Sequence, residues 1–254
     1  MPQGPVDRLT FTYQNAQRER VIRNRERIVQ SVNAVADGRV IPEVDDLSIG
    51  SGRRLEATVL FLDISKFSNI PAESLEEQEL LLRLLSLFFT EMIRVLEDYG
   101  GVVEKNTGDG LMAYFVRDPR WPEDVRQRAV AAALTMFYSA DNYINVIVRN
   151  SGLNPIRFRI CMDHGWVTIA RIGAAQRFNN IVAVGTTANV AAKMLAKADP
   201  DTILLGERML AGLPQDWVRQ FARPSTASSG WIYRATGLPY PLWIYTGRWT
   251  EPSA

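Results

Sequence analysis

LEATVLFLD, residues 55–63, is the stretch from which the fold can be worked out. It is a short apolar run that ends in a carboxylate, and this pattern favours a strand buried on both faces. Ser74, followed three residues later by Glu77, has the spacing of a capping box and predicts the start of a helix rich in Leu and Phe. The helix should end at Gly100, because glycine commonly follows the last turn of a helix.

A β-hairpin is predicted next, with strands at 102–106 and 111–115. The turn between them contains Asp109-Gly110, and Asp-Gly supplies the positive φ that tight turns need. The later predicted elements are, in chain order, a helix at about 122–149, strands at 157–162 and 166–171 separated by a break at 163–165, a strand at 181–184, a helix at 188–198, a strand at 202–205, a surface excursion at 213–230, and closing strands near 231–234 and 242–245. The order strand, helix, hairpin, helix, strand is the split βαβ pattern of ferredoxin-like α+β domains.

The first 50 residues have a different pattern. Residues 11–37 carry apolar side chains on loosely helical spacing among many charges, which predicts an amphipathic helix. Glycines and prolines in 38–54 predict a linker. We expect the helix to pack on its own domain or on a partner subunit, and RNA contact is the alternative. The predicted organisation is an N-terminal helix and linker at 1–50, followed by one domain at 51–254.

Composition excludes several classes of protein. The chain has 254 residues and a net charge of +1, from 29 Lys+Arg and 28 Asp+Glu, which argues against a protein that coats nucleic acid or an acidic membrane. The single cysteine, Cys161, and the single histidine, His164, can form neither an internal disulfide nor a zinc cluster. The apolar run at 129–140 is too short to span a membrane, and the first residues do not resemble a signal peptide. We therefore expect a cytoplasmic protein.

Two aspartates are placed where they can take part in chemistry. Asp63 ends the first strand, and Asp109 lies in the hairpin turn. Each also has a simple structural explanation, the first as a strand-end cap and the second as a turn residue. If the strand and the hairpin are neighbours in one sheet, the two carboxylates come close together and repel each other unless cations lie between them. Hard cations such as Mg²⁺ or Mn²⁺, bound by a few carboxylates and by substrate phosphates, suit such a pair.

Four stretches match a known family in order and spacing: FLDISKFS (61–68), VEKNTGDGLMAYF (103–115), ICMDHGWVTIARIG (160–173) and VGTTANVAAKM (184–194). They resemble the motifs of class III nucleotidyl cyclases. The resemblance implies a ferredoxin-like α+β catalytic domain with a central, mostly antiparallel sheet flanked by helices. It also implies a homodimer with active sites built across the subunit interface. Each site would hold two divalent ions, bound by Asp63, Asp109 and the backbone carbonyl of Ile64.

The resemblance assigns further residues to nucleotide binding and catalysis. The loop formed by Ser65, Lys66, Phe67 and Ser68 would offer backbone N–H groups to the phosphates. Asn189 matches the asparagine that orients the ribose. Lys193, one turn later, stands where the family usually has an arginine that grips the phosphoryl oxygens, and lysine keeps the charge but lacks the planar fork. Arg234 is a candidate phosphate ligand. Lys66 stands where the family commonly has glycine, so its ammonium either reaches the triphosphate or stays in solvent.

Two positions set the choice of base in this family, and here they are Lys105 and Val182. Lys105 matches the purine-binding lysine of adenylate cyclases, but valine cannot accept a hydrogen bond from the amino group of adenine. Leaving that amine buried without a partner should cost roughly 1 to 3 kcal/mol. Lysine only donates, so it suits a carbonyl such as uracil O4. The pair therefore favours UTP. CTP and ATP are the alternatives, because Lys105 can also donate to cytosine N3 or adenine N1.

A second resemblance agrees with this choice of base. The chain length, the N-terminal helix and the loop DISKFS are similar to those of the pyrimidine cyclases of the bacterial Pycsar anti-phage system, which make cyclic UMP or cyclic CMP for a separate effector protein. Phe61, on the same strand face as Asp63, either borders the nucleotide or belongs to the core. The hypothesis is a homodimeric cyclase that converts UTP to cyclic UMP and diphosphate. The alternatives from other classes are a catalytically silent, nucleotide-gated dimerisation module and a ferredoxin-like RNA binder, and the second is disfavoured because the central strands lack exposed aromatic pairs.

Overall fold

The structure, a computed structural model, describes residues 35–37, 51–67, 70, 72–106, 108–150, 152–175 and 178–250, with the backbone alone at 35–37, 105–106, 171–175 and 178–181. The strands are β1 (Val35–Asp37), β2 (Gly52–Ile64), β3 (Gly101–Asn106), β4 (Gly110–Val116), β5 (Phe158–Ala175), β6 (Phe178–Val184), β7 (Ile203–Gly206), β8 (Ala222–Pro224) and β9 (Leu242–Tyr245). The α-helices are α1 (Leu75–Asp98), α2 (Val125–Ser139), α3 (Asn145–Asn150), α4 (Thr186–Met194), α5 (Glu207–Leu210) and α6 (Gln215–Phe221). A π-helical segment (Ala140–Ile144) joins α2 to α3, and a 3₁₀ turn (Leu195–Lys197) follows α4.

The chain divides into two compact units. The larger unit, residues 55–167 and 184–254, contains a sheet in the order β3-β4-β2-β5-β7-β9-β8. Most of its described neighbouring strand pairs are antiparallel, including β2 with β4, whereas β5 and β7 run parallel. In the smaller unit, residues 1–54 and 168–183, β1 runs parallel to the start of β2 and β6 pairs with β5. The predicted α+β fold with a mostly antiparallel sheet is confirmed.

The main core lies between one face of the sheet and the helices α1 and α2. Leu62 of β2 and Met162 of β5 point into it. Phe158 of β5 contacts both helices, because its ring stacks on Phe137 of α2 at 4.3 Å between centroids and lies edge-on to Phe88 of α1 at 5.2 Å. Helix α1 is fixed at its start by the predicted capping box, in which Ser74 Oγ accepts from Glu77 N and Glu77 Oε2 accepts from Ser74 N.

A second, smaller apolar cluster covers the opposite face of the sheet. Cys161 of β5 and Leu204 of β7 belong to it, together with Val190 and Met194 of α4. Strand alternation explains the division, since residues 160 and 162 face the main core and residue 161 faces the other way. Helix α4 is therefore held against the side of the sheet that α1 and α2 leave open. None of the helices in the described ranges combines the length and the apolar composition that crossing a bilayer requires.

The predicted break at 163–165 is wrong, because β5 runs without interruption from Phe158 to Ala175. Asp163 and His164 resemble turn residues in sequence, but both are buried and hydrogen-bonded inside the sheet. Gly165 has φ of +153°, and a Cβ there would lie 2.8 Å from Thr187 Oγ1. Glycine thus permits a close approach to α4 within a continuous strand.

Other predicted boundaries also shift. The helix predicted at 11–37 lies outside the described residues except at Val35–Asp37, which is a strand paired with Gly52–Arg54 rather than the end of a helix. The helix predicted at 122–149 starts after its cap Asp124 and changes to π-helical geometry at Ala140. The excursion at 213–230 contains α6 and β8. The strand predicted at 231–234 is reduced to one bridge between Ile232 and Pro239.

Candidate active site

Asp63 and Asp109 lie at neighbouring strand ends, as the sequence predicts. Asp63 of β2 is opposite Gly110, the first residue of β4, so Asp109 directly precedes its partner. The backbone N–H of Ile64 donates to the carbonyl oxygen of Asp109 at 2.8 Å and closes this end of the ladder. Because Leu62 faces the main core, Asp63 faces the opposite side of the sheet, and Phe61 shares that side. Phe61 is half-buried and lies opposite Met112.

Arg159 of β5 is a residue of the candidate site that the sequence analysis missed. Its Nε and Nη2 donate to Oδ2 of Asp63 at 2.9 and 2.6 Å, and its Nη1 donates to the carbonyl of Ala198 at 3.1 Å. Both partners of the ion pair are partly shielded, with side chains 26% and 19% exposed. Arg159 alternates with the apolar residues Phe158, Ile160 and Cys161 in a largely buried part of β5, and this was the available signal, because a charge on a buried strand needs a partner.

The donors at this strand end fit a divalent cation. Among the described residues, no group of three or more His, Cys, Asp or Glu side chains could hold a metal. The protein would therefore supply only part of a coordination shell, from the carboxylates of Asp63 and Asp109 and the carbonyl of Ile64, and phosphate oxygens would complete it. Such an all-oxygen set suits Mg²⁺ or Mn²⁺. Both hydrogen bonds from Arg159 go to Oδ2 of Asp63, so Oδ1 lies outside that pair.

The predicted phosphate loop follows β2 directly. Ser65 donates its backbone N–H to the carbonyl of Arg157 at 2.8 Å, so this amide is already paired in the structure. Lys66 has φ of +57°, a left-handed conformation that glycine adopts most easily. Its side chain is exposed. Phe67 packs partly against the main core, and Ser68 lies outside the described residues.

Helix α4 presents Asn189 and Lys193 on one exposed face, four residues apart. The ammonium nitrogen of Lys193 lies 5.2 Å from the ring centroid of Trp231. Arg234 is exposed and lines a cavity of about 490 Å³, whose lining also includes Asp163, Arg208 and Trp231. The described contacts do not bring Arg234 or Lys193 to Asp63 within one chain.

The two positions predicted to choose the base lie on different strands. Lys105 is on β3, where its backbone is opposite Met112, and its side chain lies outside the described residues. Val182 is a half-buried residue of β6. Their roles in base recognition remain predictions.

The single histidine has a structural role. His164 is buried, with Nδ1 2.9 Å from Thr58 Oγ1 and Nε2 3.3 Å from Glu56 Oε1. A carboxylate only accepts, so Nε2 carries the proton and Thr58 donates to Nδ1. Burial lowers the pKa of His164, which keeps the ring neutral near pH 7. Its partners account for both ring nitrogens, and Thr58 is fully buried, so the hydroxyl beside the imidazole is shielded from any substrate.

Comparison with known proteins identifies the family. The family described as the adenylate and guanylate cyclase catalytic domain matches residues 51–224. The chain belongs to this family. It thus carries a class III cyclase catalytic domain, and the resemblance of the four sequence motifs is confirmed.

Cyclases with three different base specificities are among its curated relatives. The chain is 24% identical to a uridylate cyclase of Rhodovulum sp. (strain MB263) over 62% of its length and 65% of the relative. It is 26% identical to a cytidylate cyclase of Escherichia coli over 74% of its length and 42% of the relative. It is 25% identical to an adenylate cyclase of Anabaena cylindrica over 67% of its length and 33% of the relative. The chain thus spans less than two thirds of the length of these relatives.

Solved cyclase structures share the fold. The guanylyl cyclase Cya2 superposes with a TM-score of 0.63 at 22% identity, covering 79% of this chain and 96% of that one. The adenylyl cyclase CyaB from P. aeruginosa superposes with a TM-score of 0.62 at 20% identity, covering 80% and 100%. At this identity the likeness concerns the fold, and it confirms the class III cyclase architecture of sheet and helices.

The cyclase domain also contains a buried acid that no local sequence signal predicts. Asp163 accepts a hydrogen bond from Tyr240 at 2.6 Å through Oδ1, and its Oδ2 has no hydrogen-bond partner among the described residues. A Cβ at residue 206 would lie 2.3 Å from Oδ1, so Gly206 leaves room for this carboxylate. Burial raises the pKa of Asp163 from 3.8 to about 6, although the bonds from Tyr240 and the His164 backbone oppose the rise.

We predict that Asp163→Asn stabilises the domain more at high pH than at low pH. Because the folded pKa lies above the unfolded one, the native state binds more protons between about pH 4 and pH 6, and the free energy of unfolding falls as the pH rises through that window. The advantage of the asparagine variant should be about 1 kcal/mol larger near pH 8 than near pH 5 in denaturant titrations. The exposed Asp199→Asn is the control, and an advantage that does not vary with pH would contradict the prediction.

Proposed function

We propose that the protein is a nucleotidyl cyclase that converts UTP to 3′,5′-cyclic UMP and diphosphate. The observation that carries the proposal is the position of Asp63 and Asp109 at adjoining strand ends, with Asp63 on the side of the sheet away from the main core and the guanidinium of Arg159 bonded to it. This arrangement gathers carboxylates for hard cations and a cation for phosphate in one place, which is what attack of a ribose hydroxyl on an α-phosphate requires.

Each residue of the proposed site has a defined task. Asp63, Asp109 and the carbonyl of Ile64 would hold two divalent ions, Mn²⁺ or Mg²⁺, which when bound lower the pKa of the ribose 3′-hydroxyl and neutralise charge on the triphosphate. Asn189 would orient the ribose, and the ammonium of Lys193 would face the phosphoryl oxygens. Segment 65–68 and Arg234 would bind the phosphates, and Phe61 would border the nucleotide.

Arg159 adds a task that follows from its geometry. In the structure its guanidinium neutralises Asp63. Cations bound at Asp63 would take over that neutralisation and leave the guanidinium to pair with phosphate oxygens, for which its planar fork is suited. The same arginine would thus pair with the carboxylate of Asp63 before substrate binds and with the triphosphate afterwards.

The preference for UTP rests on Lys105 and Val182. A lysine donor complements uracil O4, and a valine side chain offers no acceptor to an exocyclic amine. Similarity to proteins named uridylate and cytidylate cyclase supports a pyrimidine substrate, and the similarity to an adenylate cyclase keeps ATP as the alternative. CTP is the alternative among the pyrimidine nucleotides.

We predict that Val182→Asp shifts the substrate preference toward ATP. An aspartate at this position would accept a hydrogen bond from the amino group of adenine, so the ratio of kcat/KM for ATP to that for UTP should rise by about tenfold. Val184→Asp, two residues along β6 and exposed, is the matched control. An unchanged ratio in the first variant would remove Val182 from base selection.

The proposed active sites lie across the interface of a homodimer. Asp63 and Asp109 of one subunit would face Asn189 and Lys193 of the other. Mixing Asp63→Ala chains with Asn189→Ala chains should therefore restore about a quarter of the wild-type activity, because half of the dimers are mixed and each has one intact site. Mixing Asp63→Ala with Asp109→Ala is the control, since both lesions fall in the same half-site and no dimer has an intact site. Equal results from the two mixtures would contradict shared sites.

The proposed product is a second messenger. We infer that cyclic UMP would act on a separate effector protein in bacterial antiviral defence. Resemblance to the pyrimidine cyclases of anti-phage systems supports this role. For this role the catalytic site needs only to release its product.

The experiment that tests the proposed function is an assay of the purified chain with each of the four nucleoside triphosphates and Mn²⁺. We expect cyclic UMP as the main product, identified by chromatography and mass, and its loss in Asp63→Ala and Asp109→Ala. A dominant cyclic CMP or cyclic AMP signal would keep the enzyme class and reject the base assignment. Absence of product from every triphosphate would favour a catalytically silent cyclase-like module, for which the lysine at position 193 is the supporting observation.

A further inference from the structure

We propose that Trp231 is a positioning residue that holds the ammonium of Lys193 in place for the cyclisation step. The inference rests on the proposed function and adds to it a residue from a separate part of the chain. The observation is that Nζ of Lys193 lies over the indole ring of Trp231, 5.2 Å from its centroid. This distance is within the range of a cation–π interaction, and tryptophan is the aromatic residue that holds a cation best.

The contact compensates for a weakness of lysine at this position. Lys193 is exposed in the last turn of α4, and its ammonium is a point charge at the end of a flexible four-carbon stem. An arginine would hold a phosphate through two parallel hydrogen bonds, whereas lysine has no such fork. A fixed indole face beneath the ammonium reduces the number of orientations that the side chain can adopt, so less freedom is lost when an anion binds.

An aromatic partner also has an advantage over a carboxylate. A carboxylate beside Lys193 would neutralise the ammonium and occupy its donors. The face of an indole attracts the ammonium without carrying a net charge and without accepting all three N–H groups. The charge of Lys193 and its donors therefore remain directed at an anionic group such as the phosphoryl oxygens.

The fold holds Trp231 firmly enough for this role. Its ring is half-buried against the second apolar cluster, which contains Val190 and Met194 of the same helix that carries Lys193. Its carbonyl accepts from Tyr240 N at 2.8 Å, and its backbone N–H donates to Ser229 Oγ at 3.2 Å.

Tyr240 links this segment to the central sheet. Its hydroxyl donates to Oδ1 of Asp163 on β5 at 2.6 Å and accepts from the backbone N–H of Arg208 at 3.1 Å. A continuous series of contacts thus runs from β5 through Tyr240 and Trp231 to Lys193. The indole is fixed relative to the sheet, so the ammonium that rests on it is fixed as well.

The test compares Trp231→Leu and Trp231→Phe with wild type. Leucine removes the aromatic face and should lower kcat for cyclic UMP formation by about fivefold while leaving KM for UTP within about twofold, and phenylalanine should retain most of kcat. Trp243→Leu is the matched control, because Trp243 is also a half-buried tryptophan but packs against the main core. A leucine variant that keeps the wild-type kcat, or that changes only KM, overturns the proposal.

A second measurement examines the contact without any need for turnover. The chain has four lysines, Lys66, Lys105, Lys193 and Lys197, so a spectrum of protein labelled with ¹³C at lysine Cε contains four assignable signals. The ε-protons of Lys193 should be shifted upfield by the indole ring current. We expect the shift to disappear in Trp231→Leu and to decrease in Trp231→Phe, and an unshifted wild-type signal overturns the contact. If the leucine variant does not fold, Trp231→Met takes its place in both measurements, with the same expected loss of kcat and of the ring-current shift and the same results overturning the proposal.

The two failures are distinguishable. A wild-type chain that forms no cyclic nucleotide from any triphosphate overturns the proposed function. An active wild type whose Trp231→Leu variant is equally active overturns only the role of Trp231.

Discussion

Replacing Asp63 or Asp109 with asparagine is expected to lower kcat for cyclic UMP formation by about a thousandfold. Both carboxylates lie at one end of the β2–β4 ladder, where residue 63 is opposite residue 110. Asparagine keeps the shape and the hydrogen-bond acceptor but removes the charge that a divalent ion needs. Steady-state rates at saturating Mn²⁺ measure the effect. Asp216→Asn, which breaks an exposed ion pair with Arg219, should leave the rate unchanged.

The Asp63 variant should also differ from the control in stability. Its carboxylate is the partner of the Arg159 guanidinium, and both side chains are partly shielded from water. Loss of this charge should lower the free energy of unfolding by about 1 kcal/mol, a value reduced by the remaining exposure of the pair. Denaturant titration measures this change. A fully active Asp63→Asn or Asp109→Asn variant would contradict the location of the active site.

Replacing Arg159 with methionine is expected to lower kcat/KM for UTP by about a hundredfold. Methionine keeps much of the apolar stem, but it leaves Asp63 without its cation and the triphosphate without a guanidinium. Arg159→Lys should have a kcat/KM for UTP between those of wild type and Arg159→Met. Lysine keeps the positive charge, but its one nitrogen cannot reproduce the bonds that three nitrogens of Arg159 make to Asp63 and to the carbonyl of Ala198.

Arg157→Met is the control for Arg159. Arg157 lies two residues earlier in the chain and pairs with Asp201 in an exposed ion pair. Its loss should change kcat/KM for UTP less than about twofold. Equal effects of the two arginine variants would mean that Arg159 acts only through general charge, and the proposed dual role would be wrong.

Local rules were sufficient to predict the elements whose signals are local. The capping box at Ser74 and Glu77 gives the start of α1, and the Asp109-Gly110 turn gives the hairpin of β3 and β4. The break predicted at 163–165 fails for a physical reason. Asp163 hydrogen-bonds Tyr240, 77 positions away, and His164 hydrogen-bonds Thr58, 106 positions away, so their partners are invisible to a local pattern.

The residues of the candidate site also divide into those that a local signal predicts and those whose partners are distant in the sequence. Asp63 and Asp109 could be predicted because one ends a strand and the other lies in the turn before the neighbouring strand, so both lie at the same end of that strand pair. Arg159 was missed because its role depends on β5 lying beside β2, a pairing between distant parts of the chain. The contact of Lys193 with Trp231 joins α4 to the segment before β9, and no sequence spacing predicts it.

The most direct test of the central claim is a competition experiment. The purified chain is incubated with UTP, CTP, ATP and GTP at equal concentrations and with Mn²⁺, and the cyclic products are quantified by mass spectrometry in the first minutes of the reaction. Competition measures the ratios of kcat/KM directly, and these ratios define specificity. The proposed site, with Lys105 as donor and Val182 without an acceptor, predicts cyclic UMP in at least about tenfold excess over cyclic AMP. A predominance of cyclic CMP, cyclic AMP or cyclic GMP, or the absence of any cyclic nucleotide, would contradict it.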